Sequence, residues 1–160
     1  MRYVMRQKLL SWGDDFTIKD ADGRDRYHVD GKVFSIGDKA SFEDMLGNEL
    51  LRIDQQVLSL QKSYIITRDG RQVARVKKKL FKLFRDAFDI EDAAAGDLDA
   101  EGDFFDREYR FTRDSRTIAT VSKRFFAWTD TYGVDIAEGE DDPLILACTV
   151  VIDMCCHDEE

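Results

Sequence analysis

Apolar and polar residues alternate along most of this chain. Phe16-Thr17-Ile18, Val33-Phe34-Ser35-Ile36 and Leu51-Arg52-Ile53 are short runs of that kind. A period of two belongs to a strand with one buried and one wet face. Turn residues break the runs at close intervals, at Asp22-Gly23, Asp30-Gly31, Gly47-Asn48, Asp69-Gly70 and Asp114-Ser115. At a usual strand length of roughly 5–6 residues, about twelve strands fit before residue 138. Such a series folds as an antiparallel sheet, either sandwich or barrel.

The pattern changes near residue 141. Asp141-Asp142-Pro143 reads as a helix start, an acidic cap with proline in the first turn, where its missing N–H does no harm. From Leu144 to Cys156 the chain is apolar on every side, so a helix there must be enclosed. The absence of any turn residue over that stretch suits a helix better than a strand, despite Val150, Val151 and Ile152. A closed sheet of about twelve strands has a lumen wider than its own side chains can fill. A helix about 10–12 Å across plugs that lumen, and fourteen residues rise about 21 Å, as far as six or seven strand residues reach. The expected fold is mainly β: a closed antiparallel barrel of about twelve strands around a central hydrophobic C-terminal α-helix.

Part of the chain is written twice. Tyr64 to Lys78 recurs as Tyr109 to Lys123, with eight of 15 positions identical, including Tyr64/Tyr109, Arg68/Arg113, Asp69/Asp114 and Lys78/Lys123. Each copy predicts a β-hairpin with an Asp-led turn. A weaker echo aligns Gly47–Ile53 with Gly70–Val76. Glu91 to Gly96 is the loosest segment and is expected to be a loop between two halves.

Composition narrows the function. At 160 residues with 43% hydrophobic and 36% charged, the chain is expected to form one globular domain over residues 1–160. A net charge of −9 argues against a nucleic-acid binder, which must neutralise phosphates. The charge is uneven, because residues 61–90 carry nine Lys/Arg against three Asp. A basic stripe on an acidic body can attract an anionic surface locally. The first residues are too poor in apolar side chains for a signal peptide, and Leu144 to Ile152 falls far short of the roughly 20 residues of a membrane span. Three cysteines near one end form no disulfide framework. A cytoplasmic location, with peripheral membrane contact at most, is the expectation.

Gly37-Asp38-Lys39-Ala40-Ser41-Phe42, Gly47-Asn48-Glu49-Leu50-Leu51, the doubled hairpin, Trp128 to Ile136 and the apolar tail resemble the LURP-one-related family. The resemblance covers essentially the whole chain. It implies the Tubby C-terminal-like fold, a twelve-stranded barrel around a hydrophobic helix, shared with Tubby proteins and similar to phospholipid scramblases. It also implies binding at membranes by analogy, since Tubby domains bind phosphoinositides.

Within the basic stripe, a strand over Gln72–Lys79 puts Arg75, Lys77 and Lys79 on one face and Ala74 and Val76 on the other. With Lys82 and Arg85 just beyond, these five are the candidate anion- or lipid-binding residues, meeting an anionic membrane or phosphoinositide-like headgroup. The plain alternative is a solvated face whose lysines discourage edge pairing, or a scaffold for a protein partner. The second repeat has Thr120 and Ser122 where the first has Arg75 and Lys77, so the site is not duplicated. Lys78 and Lys123 share parity with buried positions and are expected to end their strands and reach over the barrel rim.

Other motifs carry less. Asp20-Ala21-Asp22-Gly23-Arg24-Asp25 resembles the opening of a calcium loop, but Gly31 stands where a bidentate Glu is needed, and a turn explains every residue. Cys155 and Cys156 point about 100° apart on a helix, so with Cys148 they are core fillers rather than metal ligands. Only His28 and His157 are present, with no nucleophile elbow, P-loop or Rossmann glycines, so no enzyme chemistry and no cofactor are expected. Asp89 and Asp135 are expected to face solvent between inward apolar neighbours, and Trp12 and Trp128 to be wall residues or rim anchors.

Overall fold

The computed structural model of the protein describes residues 1–6, 15–31, 39–56, 62–79, 87–92, 94–126 and 130–157. Among these residues twelve strands precede one α-helix. They are β1 (Arg2–Arg6), β2 (Asp15–Asp20), β3 (Asp25–Asp30), β4 (Lys39–Asp44), β5 (Glu49–Gln55) and β6 (Ser63–Arg68). They continue with β7 (Arg71–Lys78), β8 (Ala87–Asp92), β9 (Leu98–Asp103), β10 (Glu108–Arg113), β11 (Arg116–Ser122) and β12 (Thr131–Ile136). A short 3₁₀ turn (Lys123–Phe125) follows β11, and α1 (Asp142–His157) closes the series.

Every strand pairs antiparallel with its neighbours in sequence, and β1 pairs with β12 from Arg2↔Asp135 to Arg6↔Thr131. The sheet is thus a closed up-and-down barrel, as the alternation predicts. Closure removes the free edges that would invite aggregation. The β1–β2 seam is thin, with pairing at Tyr3↔Asp20 and Val4↔Lys19.

Inward positions follow the period of two. Tyr3 and Met5, Leu51 and Ile53, Ala74 and Val76, Phe88 and Ile90, Tyr109 and Phe111, and Tyr132 and Val134 are all buried. They enclose α1, whose residues from Leu144 to Cys155 are each at most 3% exposed. The helix begins as its sequence predicts: the Asp141 carboxylate accepts from the Leu144 N–H at 3.3 Å, and Pro143 sits in the first turn. Cys148 and Cys155 are buried among the core residues and Cys156 is half-buried.

The duplication proves to be a bulged hairpin. In β6–β7 the register slips after Ile66, leaving Val73 as the extra residue, and in β10–β11 it slips at the equivalent Phe111, leaving Ile118. The β4–β5 hairpin has the same slip at Leu50, and β2–β3 has one at Arg26. Bulges bend a strand and raise its twist, which helps a sheet curl into a cylinder. Asp69 and Gly70 have φ of 51° and 76°, and Asp114 and Ser115 have 49° and 64°. Two successive left-handed residues make the turn that matches strand twist, so both copies turn alike.

Two expectations change. Glu91 and Asp92 belong to β8, and β8 pairs directly with β9 through Ile90↔Leu98. The segment therefore holds one more hairpin turn in an unbroken meander, not a divider between halves. The segment opening at Asp20 is a turn, as expected, its carboxylate accepting from the N–H groups of Asp22 (2.9 Å) and Arg24 (3.0 Å). The helix is not apolar throughout, since it carries a buried Asp153. The Val33–Ile36 run, Trp12 and Trp128 lie outside the described residues.

Candidate functional site

The basic stripe lies where its alternation puts it. Ala74 and Val76 are buried in the lumen, while Arg75 and Lys77 on β7 and Lys79 just past it face outward, half-buried. The Lys79 N–H still bonds the Ala87 carbonyl at 2.8 Å, so the ladder runs one residue beyond the strand. Lys82 and Arg85 lie outside the described residues.

The register adds something the stripe alone does not disclose. Across from β7 runs β8, pairing Arg75 with Glu91 and Lys77 with Asp89. Lys77 Nζ is 2.8 Å from Glu91, and Lys79 Nζ is 2.7 Å from Asp89 and 3.1 Å from Asp99 on β9. The hydrogen bonds to Asp89 and Asp99 raise the Lys79 pKa, and the one from Lys77 lowers that of Glu91. Two of the three outward cations, Lys77 and Lys79, therefore meet three carboxylates, while Arg75 lies across from Glu91 with its buried Nε unpartnered among the described residues, so the face is of mixed sign rather than bare basic. Asp89 and Asp135 both point outward between buried neighbours, and Asp135 pairs with Arg2 at 3.2 Å.

In the second repeat the matching outer positions serve another purpose. The Ser122 hydroxyl donates to Glu108 at 2.8 Å, and Glu108 accepts the Lys123 N–H at 3.1 Å. Lys78 ends β7, and Lys123 opens the 3₁₀ turn just past β11, reaching Asp106 at 3.6 Å.

The residues that the two copies share hold the helix entrance. Arg68 bonds Asp141 at 2.8 Å, and its repeat equivalent Arg113 grips both oxygens of Glu140 at 2.8 and 3.0 Å. The Tyr3 hydroxyl bonds Asp142 at 2.5 Å, and burial of that hydroxyl pushes its pKa up. The identity of Arg68 and Arg113 is visible in the sequence; that both serve the same acidic segment is not.

A second polar cluster lies inside the far end of the barrel. Arg107, in the β9–β10 turn with φ 55°, sends its Nε to Asp153 at 2.9 Å, both side chains nearly sealed from solvent. The Tyr132 hydroxyl donates to the other Asp153 oxygen at 2.9 Å, and the Arg107 guanidinium lies 5.3 Å from the Tyr132 ring centre. Tyr109, the repeat partner of Tyr64, is buried in the same core as Thr149, whose hydroxyl donates to the Ile145 carbonyl at 2.9 Å. Burial raises the pKa of Tyr109 and Tyr132 well above 10.0, reinforced by the Asp153 charge. This cluster escaped the sequence reading. Its one signal is Asp153 itself, since an acid within an enclosed helix demands a partner.

Described grooves lie on the outside of the wall. One of about 440 Å³ runs over Glu101, Gly102, Glu108, Arg110, Thr117 and Thr120. Another, of about 590 Å³, lies beside Met1 and residues 137–143. Among the described residues no helix is long and apolar enough to cross a membrane, and no three His, Cys, Asp or Glu groups converge as for a metal.

Comparison with known proteins agrees with this architecture. The sequence model of the LURP-one-related family matches residues 1–153. "Uncharacterized protein YxjI" of Bacillus subtilis (strain 168) is 32% identical over 156 residues, covering 98% of this chain and 94% of that protein. A solved structure of a protein from Arabidopsis thaliana superposes with a TM-score of 0.70 at 17% identity, over 95% of this chain and 90% of that one, which is a likeness of fold.

Proposed function

Because the chain belongs to the LURP-one-related family and fills its own lumen, we propose that it is a non-catalytic binding module that meets its ligand on the outer wall or at the rims. The enclosure of α1 carries this reading, since a barrel packed around a helix leaves no cargo space of the kind that hollow barrels of this class offer. No described arrangement joins a nucleophile to a base, and the buried Arg107–Asp153 pair has no access for a substrate.

The partner that suits this wall best is a protein. Each cation near an anionic membrane gains about 1 kcal/mol, and a neighbouring carboxylate loses a similar amount. Breaking an exposed ion pair costs roughly 0–1 kcal/mol more. A patch of Arg75, Lys77 and Lys79 against Asp89, Glu91 and Asp99 thus has little net pull on a polyanion. A protein surface of mixed charge matches it pair by pair.

The second reading is an anionic membrane surface or phosphoinositide-like headgroup held by Arg75, Lys77, Lys79, Lys82 and Arg85. It is favoured by the first three residues sharing one outer face. Flotation with phosphatidylcholine vesicles, with and without phosphatidylserine, separates the two. The expected result is equal and low recovery on both. Enrichment on the acidic vesicles that disappears in Lys77→Glu/Lys79→Glu overturns the protein reading.

A further inference from the structure

The β4–β5 hairpin shares its buried positions and its bulge with the duplicated hairpins, yet its turn departs from theirs. Where they have Asp69-Gly70 and Asp114-Ser115, this one has Met45-Leu46-Gly47 between Asp44 and Asn48. Leu46 is 89% exposed and Met45 47%. The turns of the other three bulged hairpins described, at residues 20–25, 68–71 and 113–116, are polar or glycine but for Ala21, and the unbulged β9–β10 turn exposes a single apolar side chain, Phe105, at 62%.

The turn is held rigid. One Asp44 carboxylate oxygen accepts from the N–H groups of Leu46 and Asn48, each at 2.9 Å, and the other accepts from the Asn48 side-chain amide at 2.9 Å. The Asp44 N–H bonds the Asn48 carbonyl at 3.0 Å, and the Gly47 N–H returns to the Asp44 carbonyl at 3.2 Å. Gly47 supplies the left-handed φ of 84° that closes the loop. Two apolar side chains are thus presented to water on a frame that has already lost its conformational freedom. A preorganised anchor of this kind loses little entropy on docking.

We infer that the Met45-Leu46 tip is a docking element for a protein partner whose receiving pocket is apolar and rimmed by Lys or Arg. Charge complementarity selects that partner. Glu43 and Asp44 lead into the tip, and among the described residues every bond that Asp44 accepts comes from the turn's own N–H groups, with no cation paired to it, whereas Glu49 beyond the turn is engaged by Arg52 at 3.0 Å. An anionic bilayer is the wrong receiver, because inserting two residues would press these carboxylates against lipid headgroups of like sign. A cationic rim around an apolar cavity satisfies both parts of the tip, and Met is enriched at such protein interfaces.

This inference rests on the protein-binding reading above, and one experiment separates their failures. A random peptide library displayed on phage is selected against the full chain and depleted on Leu46→Asp, and the enriched peptides are titrated against wild type, Leu46→Ala and Met45→Ser. The expected peptides combine large apolar residues with Lys or Arg, and lose at least tenfold in affinity on Leu46→Ala. Melting temperatures of the variants should match wild type, because the tip is exposed. Peptides that bind equally well to Leu46→Ala, or that lack basic residues, overturn the tip while sparing the protein-binding reading. Association of the wild type with phosphatidylcholine/phosphatidylserine vesicles that is lost in Leu46→Ala overturns both.

Discussion

Arginine holds the central helix at both ends, under opposite conditions. At the entrance, Arg68 and Arg113 grip Asp141 and Glu140 where water still reaches; the Arg68 and Asp141 side chains are 38% and 35% exposed. At the far end, Arg107 and Asp153 are 7% and 3% exposed. The bonds are of similar length, so geometry does not distinguish them. Solvent does. At the entrance a broken pair is rehydrated, whereas inside the barrel the abandoned charge has nowhere to go.

The largest effect that breaks this symmetry belongs to Arg107→Met. Stranding Asp153 should cost about 3–5 kcal/mol, read as a lower urea midpoint. The double variant Arg107→Met/Asp153→Leu should recover most of that loss, because two apolar groups replace two buried charges. If the double variant is as unstable as the single, the pair does more than neutralise itself.

The tyrosines of the far end offer a pH test. Tyr109 and Tyr132 are held neutral in the fold, so below pH 10.0 folded and unfolded chains bind equal numbers of protons at these sites. Above it the unfolded chain ionises first, and stability falls as pH rises. The two groups together should remove about 2.7 kcal/mol per pH unit, and Tyr132→Phe about half of that slope. Urea midpoints between about pH 9 and 11.5, with tyrosinate absorbance followed in parallel, check this expectation.

Smaller effects belong to the entrance. Arg113→Ala removes a two-pronged contact in a mostly shielded place and should cost about 1.5 kcal/mol. Arg68→Ala should cost about 0.5 kcal/mol, and raising salt should shrink that difference while leaving the Arg107 effect intact. A large, salt-resistant loss for Arg68→Ala would put the entrance and the far end in the same regime.

These contrasts track what a linear reading could and could not reach. Strands, hairpin turns, helix start and enclosure are local properties: alternation over a few residues, an Asp-led turn, an acidic cap before Pro143. Outward placement of Arg75, Lys77 and Lys79 follows from the same alternation. Their carboxylate partners do not, because Asp89, Glu91 and Asp99 become neighbours only once the register across β7, β8 and β9 is set. Arg107 and Asp153 are farther apart still, 46 positions along the chain, and are joined by a turn residue entering the lumen. The repeated Arg68 and Arg113 were conspicuous as identities, but the acidic segment they serve lies outside both copies.

The seam between β1 and β12 has a kinetic consequence. Arg2 pairs with Asp135, and the helix that supports both strands comes later still. A cylinder closed without that helix would surround a void, so the earliest strand is expected to wait for the latest segment before either is secure. Long-range pairing of this kind slows folding and prolongs exposure of half-built sheet. Refolding should therefore be slow for a domain of this size, with chaperone dependence concentrated in the interval before the ring shuts.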